Sequence, residues 1–292
     1  MGARLLLGLL WLVHWLPLRV QAVLGQGLGR VLFHLAASRR RVALRNLELC
    51  FPELTESARR ALVREHFGWL ARSLLERGLL WFAPIERVKA LIHVEGDPGL
   101  ADRSDRPVMW LAPHFVGLEQ AGAGVMLFQG KRGVNVFQTQ RNPVFHEAVI
   151  AGRRRFGNAK MYARSDSALP VVRAIKRGLC FFNACDQDFG IKDSGFVPFF
   201  SVPAATLLAP ARMVRSLNMI VQPVVVEVLP GGGGYRLRFL PAWEDWPGTS
   251  SDEEAAARMN RWIEEEVRRN PAQYLWVHRR FKTRPPGEAS LY

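Results

Sequence analysis

Hydrophobic residues dominate the first 35 positions of the chain. Residues 5–18 are apolar apart from His14, and apolar side chains become frequent again after Arg19. A helix that crosses a bilayer needs about 20 apolar residues, so Pro17 and Arg19 interrupt the pattern. We predict that residues 1–35 form a membrane anchor built on one hydrophobic helix. The alternatives are an amphipathic helix in the membrane interface and a signal peptide cleaved near "VQA".

The rest of the chain alternates between helical and strand patterns. Between residues 40 and 80, apolar positions recur at helical spacing, with Thr55 as a candidate N-cap. Short apolar runs follow at 108–112, 134–138, 179–185 and 219–229. The segments between these runs are long enough for helices. This alternation predicts an α/β fold with a mainly parallel central sheet flanked by helices.

Two patterns mark the last 70 residues. A tetraglycine at 231–234 joins an apolar run to an alternating one, which predicts a hairpin at the sheet edge with Arg236 and Arg238 facing solvent. Residues 251–270 begin with acidic side chains and end with arginines, as the helix dipole favours. In the absence of repeats or long linkers, we predict one domain over residues 36–292.

The net charge of the chain indicates acidic binding partners but does not identify one. Among 292 residues, 40 are Lys or Arg and 26 are Asp or Glu, giving a formal net charge of +14. Such a balance favours acidic partners such as nucleic acid, anionic lipid or an acidic carrier protein. The three cysteines form neither an even disulfide framework nor a CxxC metal pattern, which favours a reducing compartment.

The segment "LAPHFVGLEQAG" (111–122) contains the first candidate chemistry, His114 and Glu119. In the middle of a helix, residues five apart point to different faces. If His114 instead ends a strand, Gly117 permits a tight turn and Glu119 can reach back from the next helix. A carboxylate on one imidazole nitrogen makes the other a better base for an alcohol. The spacing also fits a buried histidine that caps a helix beside an unrelated glutamate.

Other reaction types lack their sequence patterns. The chain has no GxSxG elbow, HExxH pair, P-loop or GxGxxG fingerprint. Asp186 and Asp188 in "CDQDFG" could bind a metal, but two carboxylates at a strand end are more typical of a polar or catalytic rim. We therefore predict no metal and no redox cofactor.

Six segments, two of which contain the candidate residues above, carry a family resemblance. They are "RRRVALRNLELCFPEL" (39–54), "PHFVGLE" (113–119), Asn142-Pro143 followed by "AGRRRFG", "DQDFG" (186–190), "GFVPFFSVPAAT" (195–206) and "YLWVHRRFKTRPPG" (274–287). In this order they closely resemble the late acyltransferases of lipid A biosynthesis, from about residue 35 to the C terminus. The H-x4-E spacing alone is shared with the wider glycerolipid acyltransferases.

The resemblance implies an enzyme of the Gram-negative inner membrane whose catalytic domain faces the cytoplasm. Its donor would be an acyl carrier protein thioester. Its acceptor would be the hydroxyl of a 3-hydroxyacyl chain on a lipid A precursor that bears Kdo sugars, presented among membrane lipids. The carrier protein and the lipid A phosphates are both acidic, which suits the basic chain. Nucleic acid is not a predicted partner, because no nucleic-acid-binding fold signature accompanies the charge.

The resemblance also implies roles for individual residues. His114 would remove the hydroxyl proton, and Glu119 would hold and polarise its imidazole. Arg153 would stabilise an oxyanion or bind a phosphate, while Asp186 would hold that arginine or bind the acceptor. The further candidates for substrate binding are Arg154, Asp188, Arg279, Arg280 and Lys282.

Two other functions remain open from the sequence. A glycerol-phosphate or lysophospholipid acyltransferase would use the same His-Glu pair, although the segments at 39–54 and 274–287 argue against it. A membrane-anchored basic binding protein would have no catalysis, and replacing His114 and Glu119 would leave it unchanged.

Overall fold

The computed structural model describes residues 2–130, 132–157 and 159–292. The helices are α1 (Gly2–Val13), α2 (Leu18–Leu35), α3 (Ala37–Cys50), α4 (Glu56–Phe82), α5 (Ile85–Ala90), α6 (Leu100–Arg103), α7 (Leu118–Leu127), α8 (Pro143–Arg154), α9 (Leu169–Lys176), α10 (Ala209–Leu217) and α11 (Asp252–Arg269). The strands are β1 (Ile92–Gly96), β2 (Val108–Leu111), β3 (Gly133–Phe137), β4 (Lys160–Ala163), β5 (Cys180–Asn183), β6 (Ser194–Phe199), β7 (Val202–Leu207), β8 (Ile220–Val228) and β9 (Tyr235–Phe239). Helices alternate with strands through the sheet region, which confirms the mixed α/β class.

The central sheet is mostly parallel, as predicted. Among the described residues, seven strands form it in the order β1-β9-β8-β2-β5-β3-β4. Strands β8, β2, β5, β3 and β4 run parallel to their neighbours within this group. Strand β2 is buried along its whole length, as expected for a strand covered on both faces. Strands β6 and β7 form a separate antiparallel pair.

The tetraglycine does join two antiparallel strands, β8 and β9, but the predicted position at the sheet edge is wrong. Strand β1 pairs in parallel with the outer side of β9, so β1 forms the edge. The predicted solvent-facing arginines are half-buried in ion pairs. Arg236 pairs with Glu227, and Arg238 pairs with Glu266. Ion pairing with these carboxylates, of which Glu266 is buried, holds the arginines against the protein.

Parallel pairing brings two distant segments to one edge of the sheet. Strands β2 and β5 are neighbours, and the amide of Ala112 donates to the carbonyl of Asn183 at 2.9 Å. The residues that follow these two strands therefore meet at the carboxyl edge, where open α/β sheets commonly bind ligands. His114 follows β2, and Asp186 follows β5.

The N-terminal segment consists of two helices, whereas one anchor helix was predicted. Pro17 has no amide proton and stands in extended geometry immediately before α2, which separates α2 from α1. Both helices contribute to the protein core through Leu10 and Leu18. They also expose large apolar side chains, with Leu12 61% and Val23 72% accessible. Across the described residues, no helix combines the length and apolarity needed to cross a membrane, and the anchor over residues 1–35 stays a prediction.

Glycines let α2 lie directly against α4. A Cβ added to Gly29 would lie 2.4 Å from the Cα of Gly68, so the helices touch through their backbones. We expect Gly29→Ala to lower the free energy of unfolding by about 1–3 kcal/mol through overpacking. Urea unfolding in detergent, followed by circular dichroism, measures the change. Gly27→Ala is the matched control, because its Cβ would meet open space. Equal stability of the two variants would contradict this close contact.

Candidate active site

The loop after β2 holds the backbone of His114 on both sides. Its amide lies 3.1 and 3.0 Å from the two carboxylate oxygens of Asp186, to which it donates. Its carbonyl accepts a hydrogen bond from the amide of Leu275 at 3.0 Å. The loop therefore joins β2 to the segment after β5 and to the C-terminal segment, and these contacts fix the direction of the histidine side chain.

The imidazole of His114 pairs with the same carboxylate. Nδ1 of His114 lies 2.6 Å from Oδ1 of Asp186, whose residue is only 1% exposed. Burial alone would raise the pKa of Asp186, but the charge of His114 and hydrogen bonds from His114 and Tyr274 outweigh it and lower the pKa to about 2. An ionised carboxylate only accepts, so Nδ1 carries the proton and Nε2 carries the lone pair in the neutral ring.

The predicted contact between Glu119 and the imidazole is therefore corrected, since Asp186 holds His114. Glu119 lies in the first turn of α7 and faces α8, where Arg153 grips it with two hydrogen bonds. Arg153 Nε lies 3.0 Å from Oε2, and Nη2 lies 2.5 Å from Oε1. Burial raises the pKa of Glu119, but Arg153 reverses this effect and brings the pKa to about 2. Glu119 remains within the electrostatic reach of His114.

The three consecutive arginines at the end of α8, Arg153 to Arg155, have their side chains in three different environments. Successive helix residues are about 100° apart round the axis, so only Arg153 faces Glu119. Arg155 donates to the carbonyls of Leu80 and Ala83 on the neighbouring helix end. Arg154 is exposed and lines a separate surface groove. Of the three arginines, only Arg153 is hydrogen-bonded to Glu119, and its catalytic role stays a prediction.

The second aspartate of "DQDFG" stabilises its own loop. Asp188 accepts hydrogen bonds from the amide of Thr283 at 2.6 Å and from its hydroxyl at 2.8 Å. The amide of Asp188 donates to Nε2 of His278 at 3.0 Å. Asp188 is 3% exposed. These contacts connect the loop that carries Asp186 to the C-terminal segment, and we assign Asp188 to positioning rather than to substrate binding.

The three basic residues predicted to bind substrate in the C-terminal segment differ in their exposure. Arg280 is 2% exposed and donates to the carbonyl of Ala205 at 2.8 Å and to the hydroxyl of Thr206 at 2.9 Å. We therefore assign Arg280 to packing against β7. Arg279 and Lys282 are exposed and stay predicted substrate-binding residues.

The sequence analysis did not select Tyr274, which completes the carboxylate shell. Its phenol lies beside Asp186 and helps to lower the pKa of that carboxyl, and its backbone bridges to Phe115. His114, Asp186, Tyr274 and His278 line one small cleft. The sequence did contain a signal for these two residues, because Tyr274 and His278 both lie in the segment "YLWVHRRFKTRPPG", which carries the family resemblance. Its aromatic residues were attributed to packing.

Two buried histidines predict a loss of stability on acidification. Burial lowers the pKa of His66 and of His278 from 6.5 to about 4. Between these values the unfolded chain binds protons that the folded chain does not, so stability is full above about pH 6.5 and falls toward pH 4. Each histidine contributes at most roughly 3 kcal/mol to this loss. Urea unfolding at pH 7.5 and pH 5 measures it, and His66→Gln should reduce the difference. A pH-independent midpoint would contradict the assignment.

Comparison with known sequences decides the family. The profile of the family described as bacterial lipid A biosynthesis acyltransferase matches residues 1–283. The chain belongs to this acyltransferase family. It is 37% identical to the lipid A biosynthesis palmitoleoyltransferase of Escherichia coli over 98% of this chain and 92% of the relative. It is also 37% identical to the lauroyltransferase of the same organism, over 98% and 93% respectively. The myristoyltransferase of that organism is 33% identical over 91% and 82%.

Membership of the lipid A acyltransferase family matches what the side chains can do. Acyl transfer to a hydroxyl needs a base for the hydroxyl proton and a donor for the developing oxyanion. His114, oriented by an ionised Asp186, suits the first task. Arg153, oriented by Glu119, suits the second. Both pairs lie beside the carboxyl edge of the sheet, and the charge of His114 reaches Glu119.

Proposed function

We propose that this family member transfers a fatty acyl chain from an acyl carrier protein thioester to a hydroxyl of a lipid A precursor. The accepting hydroxyl is that of a 3-hydroxyacyl chain, and the precursor bears Kdo sugars. One observation carries the proposal: the imidazole of His114 lies 2.6 Å from a buried, ionised Asp186, which leaves Nε2 as the basic nitrogen. The family resemblance supplies the substrates that this base would serve.

In the proposed reaction, Nε2 of His114 takes the hydroxyl proton as the hydroxyl oxygen attacks the thioester carbonyl. A carbon–oxygen bond forms and gives a tetrahedral oxyanion. The carbon–sulfur bond then breaks, and the leaving thiolate takes the proton back from Nε2. Asp186 stabilises the imidazolium that exists between the two proton transfers. Each base and acid step therefore uses the same nitrogen, and the ring returns to its starting state.

Glu119 acts through Arg153 in this account. The two hydrogen bonds between them occupy Nε and Nη2 of the guanidinium, so the carboxylate fixes the plane of Arg153. The remaining nitrogen, Nη1, is the donor for the oxyanion. A donor that is already oriented stabilises developing charge without reorganisation during the reaction.

The proposed location is the cytoplasmic face of the bacterial inner membrane. Helices α1 and α2 and the turn between them expose a broad apolar surface, including Leu5, Trp15 and Leu35, each more than 60% accessible. The chain also has a net charge of +14, which suits anionic lipid headgroups and an acidic carrier protein. These features support membrane attachment together with use of a soluble acidic donor.

Transfer of a radiolabelled acyl chain tests the proposal. The purified protein in detergent receives palmitoleoyl, lauroyl and myristoyl carrier-protein thioesters, because the relatives' names cover these three chains. The acceptors are a Kdo-bearing lipid A precursor, the same precursor without Kdo, and glycerol 3-phosphate. We expect label in the Kdo-bearing lipid. Label only in glycerol 3-phosphate would favour the glycerolipid reaction. Absence of transfer by the folded protein to any acceptor would contradict the proposal.

A further inference from the structure

One face of α4 lies over the active site and carries Arg77. Ser73, one turn earlier, donates its hydroxyl to the carbonyl of Val116 in the His114 loop. Trp81, one turn later, packs so closely on α8 that a Cβ at Gly152 would lie 2.2 Å from the indole. Residues four apart share a helix face, so Arg77 lies between these two contacts.

The position of Arg77 brings a second guanidinium near Glu119. The two flanking contacts reach the His114 loop on one side and the residue before Arg153 on the other. Burial raises the pKa of Glu119, Arg153 lowers it most strongly, and the charge of Arg77 lowers it further. Glu119 thus lies within the electrostatic reach of two guanidinium groups, and only that of Arg153 is hydrogen-bonded to it.

Arg77 carries a buried guanidinium nitrogen that has no protein acceptor among the described residues. Its Nε is buried, and across the residues that the structure describes it has no hydrogen-bond partner. By contrast, Nε of Arg72 donates to Glu76, and Nε of Arg153 donates to Glu119. Burying a charged donor without an acceptor costs free energy. Such a donor beside an active site indicates a ligand that supplies the acceptor.

Two features indicate what kind of anion that ligand carries. A transition-state oxyanion exists only briefly, whereas a substrate phosphate would satisfy Arg77 for the whole lifetime of the complex. The next residue, Gly78, touches α1, since its Cβ would lie 2.3 Å from the carbonyl oxygen of Leu10. Arg77 therefore lies at the base of the helix that exposes Leu5 and Leu12. A phosphate on a lipid-embedded molecule would arrive at this boundary.

We infer that Arg77 binds a phosphate group of the substrate, and this inference rests on the proposed function. The guanidinium fork matches phosphate oxygens and remains charged at all relevant pH values. In the bound complex, Arg153 stays on Glu119 while Arg77 takes the phosphate. The acceptor's phosphate and the phosphodiester of the carrier protein's prosthetic group share this chemistry.

Equilibrium binding in detergent micelles tests the inference without requiring turnover. The probes are a radiolabelled, phosphorylated lipid A precursor and the same precursor after phosphatase treatment. Wild-type protein should prefer the phosphorylated form, and Arg77→Met should weaken its binding by about tenfold to a hundredfold. Binding of the dephosphorylated form should not change. Arg77→Lys should restore part of the preference. Arg60→Met is the matched control, because Arg60 is exposed on the same helix, roughly 25 Å along its axis.

The outcomes separate the two phosphate sources. Loss of preference for the phosphorylated precursor assigns Arg77 to the acceptor. A rise confined to the KM of the carrier-protein thioester assigns it to the donor, and both results support a phosphate site. Unchanged affinity for both substrates overturns the inference, and so does a fall in kcat alone, which would indicate an oxyanion contact.

A second probe keeps the inference independent of the proposed acceptor. If wild-type protein binds neither precursor, the proposed acceptor is wrong, and inorganic phosphate then decides about Arg77. Its phosphorus NMR signal should broaden with wild-type protein and with Arg60→Met, but not with Arg77→Met. Equal broadening by Arg77→Met would overturn the phosphate site.

Discussion

Replacing His114 with alanine is expected to slow acyl transfer by about 10²–10⁴-fold, the usual contribution of a positioned general base. The variant loses the nitrogen that takes the hydroxyl proton and later returns it to the thiolate. It also leaves the Asp186 carboxylate without its imidazole partner at 2.6 Å. Initial rates at saturating donor and acceptor measure the effect, because the loss should fall on kcat rather than on KM.

His93→Ala is the matched control for this variant. His93 is exposed on β1, at the edge of the sheet, where its ring contacts the carbonyl of Gly233. We expect its rate to stay close to that of the wild type. A His114→Ala protein that is folded and fully active would remove the histidine from the reaction.

Replacing Asp186 with asparagine is expected to reduce kcat on the order of 10²- to 10⁴-fold, through the tautomer of His114. The carboxylate accepts from both the amide and Nδ1 of His114. An amide side chain can present its NH₂ group to Nδ1, which would place the ring proton on Nε2 and remove the base. Separate values of kcat and KM are the second readout, because the wrong tautomer should lower kcat and leave KM close to the wild-type value.

Asp188→Asn controls for the loop itself. Asp188 lies two residues away and contacts Thr283, and an amide retains one acceptor oxygen for that residue. We expect less than a tenfold change in its rate. Glu119→Gln tests the other pair, because it weakens the grip on Arg153 while leaving the contact between His114 and Asp186 intact. If Glu119→Gln lowered kcat by the amount expected of Asp186→Asn, and Asp186→Asn did not, Glu119 would be the partner of the base.

The parallel sheet was predictable because its central strands are short apolar runs. Strands β2, β5 and β8 are buried along most of their length, so each appears in the sequence as a mainly hydrophobic segment, which Gln222 and Glu227 interrupt in β8. The outer strands were less visible. Strand β1 has the sequence IHVEG with only one fully buried residue, and nothing local indicates that it would cover the edge of β9.

The sequence indicated candidate side chains for the site but not the contacts between them. His114 and Glu119 are close in sequence, which favoured a contact between them. The partner in the structure, Asp186, lies 72 positions further along the chain. It reaches the histidine only because β2 and β5 are neighbours in the sheet. The sequence of neither segment predicts this order of strands. The pairing of Glu119 with Arg153 depends in the same way on how α7 packs against α8.

The apolar composition of the N-terminal segment did not predict its structure. Apolar content predicts contact with lipid, but one residue, Pro17, divides the segment into two helices. Backbone contact between Gly29 and Gly68 then fixes α2 on α4. Hydropathy does not report such contact, because it depends on the small size of glycine rather than on its polarity.

The most direct test of the central claim is mass spectrometry of the acceptor lipid. A Kdo-bearing lipid A precursor is incubated with a mixed pool of carrier-protein thioesters and either wild-type protein or His114→Ala. The account predicts that the precursor gains the mass of one acyl chain with the wild type and gains none with the variant. An unchanged precursor with the folded wild-type protein, or an equal gain with His114→Ala, would contradict it.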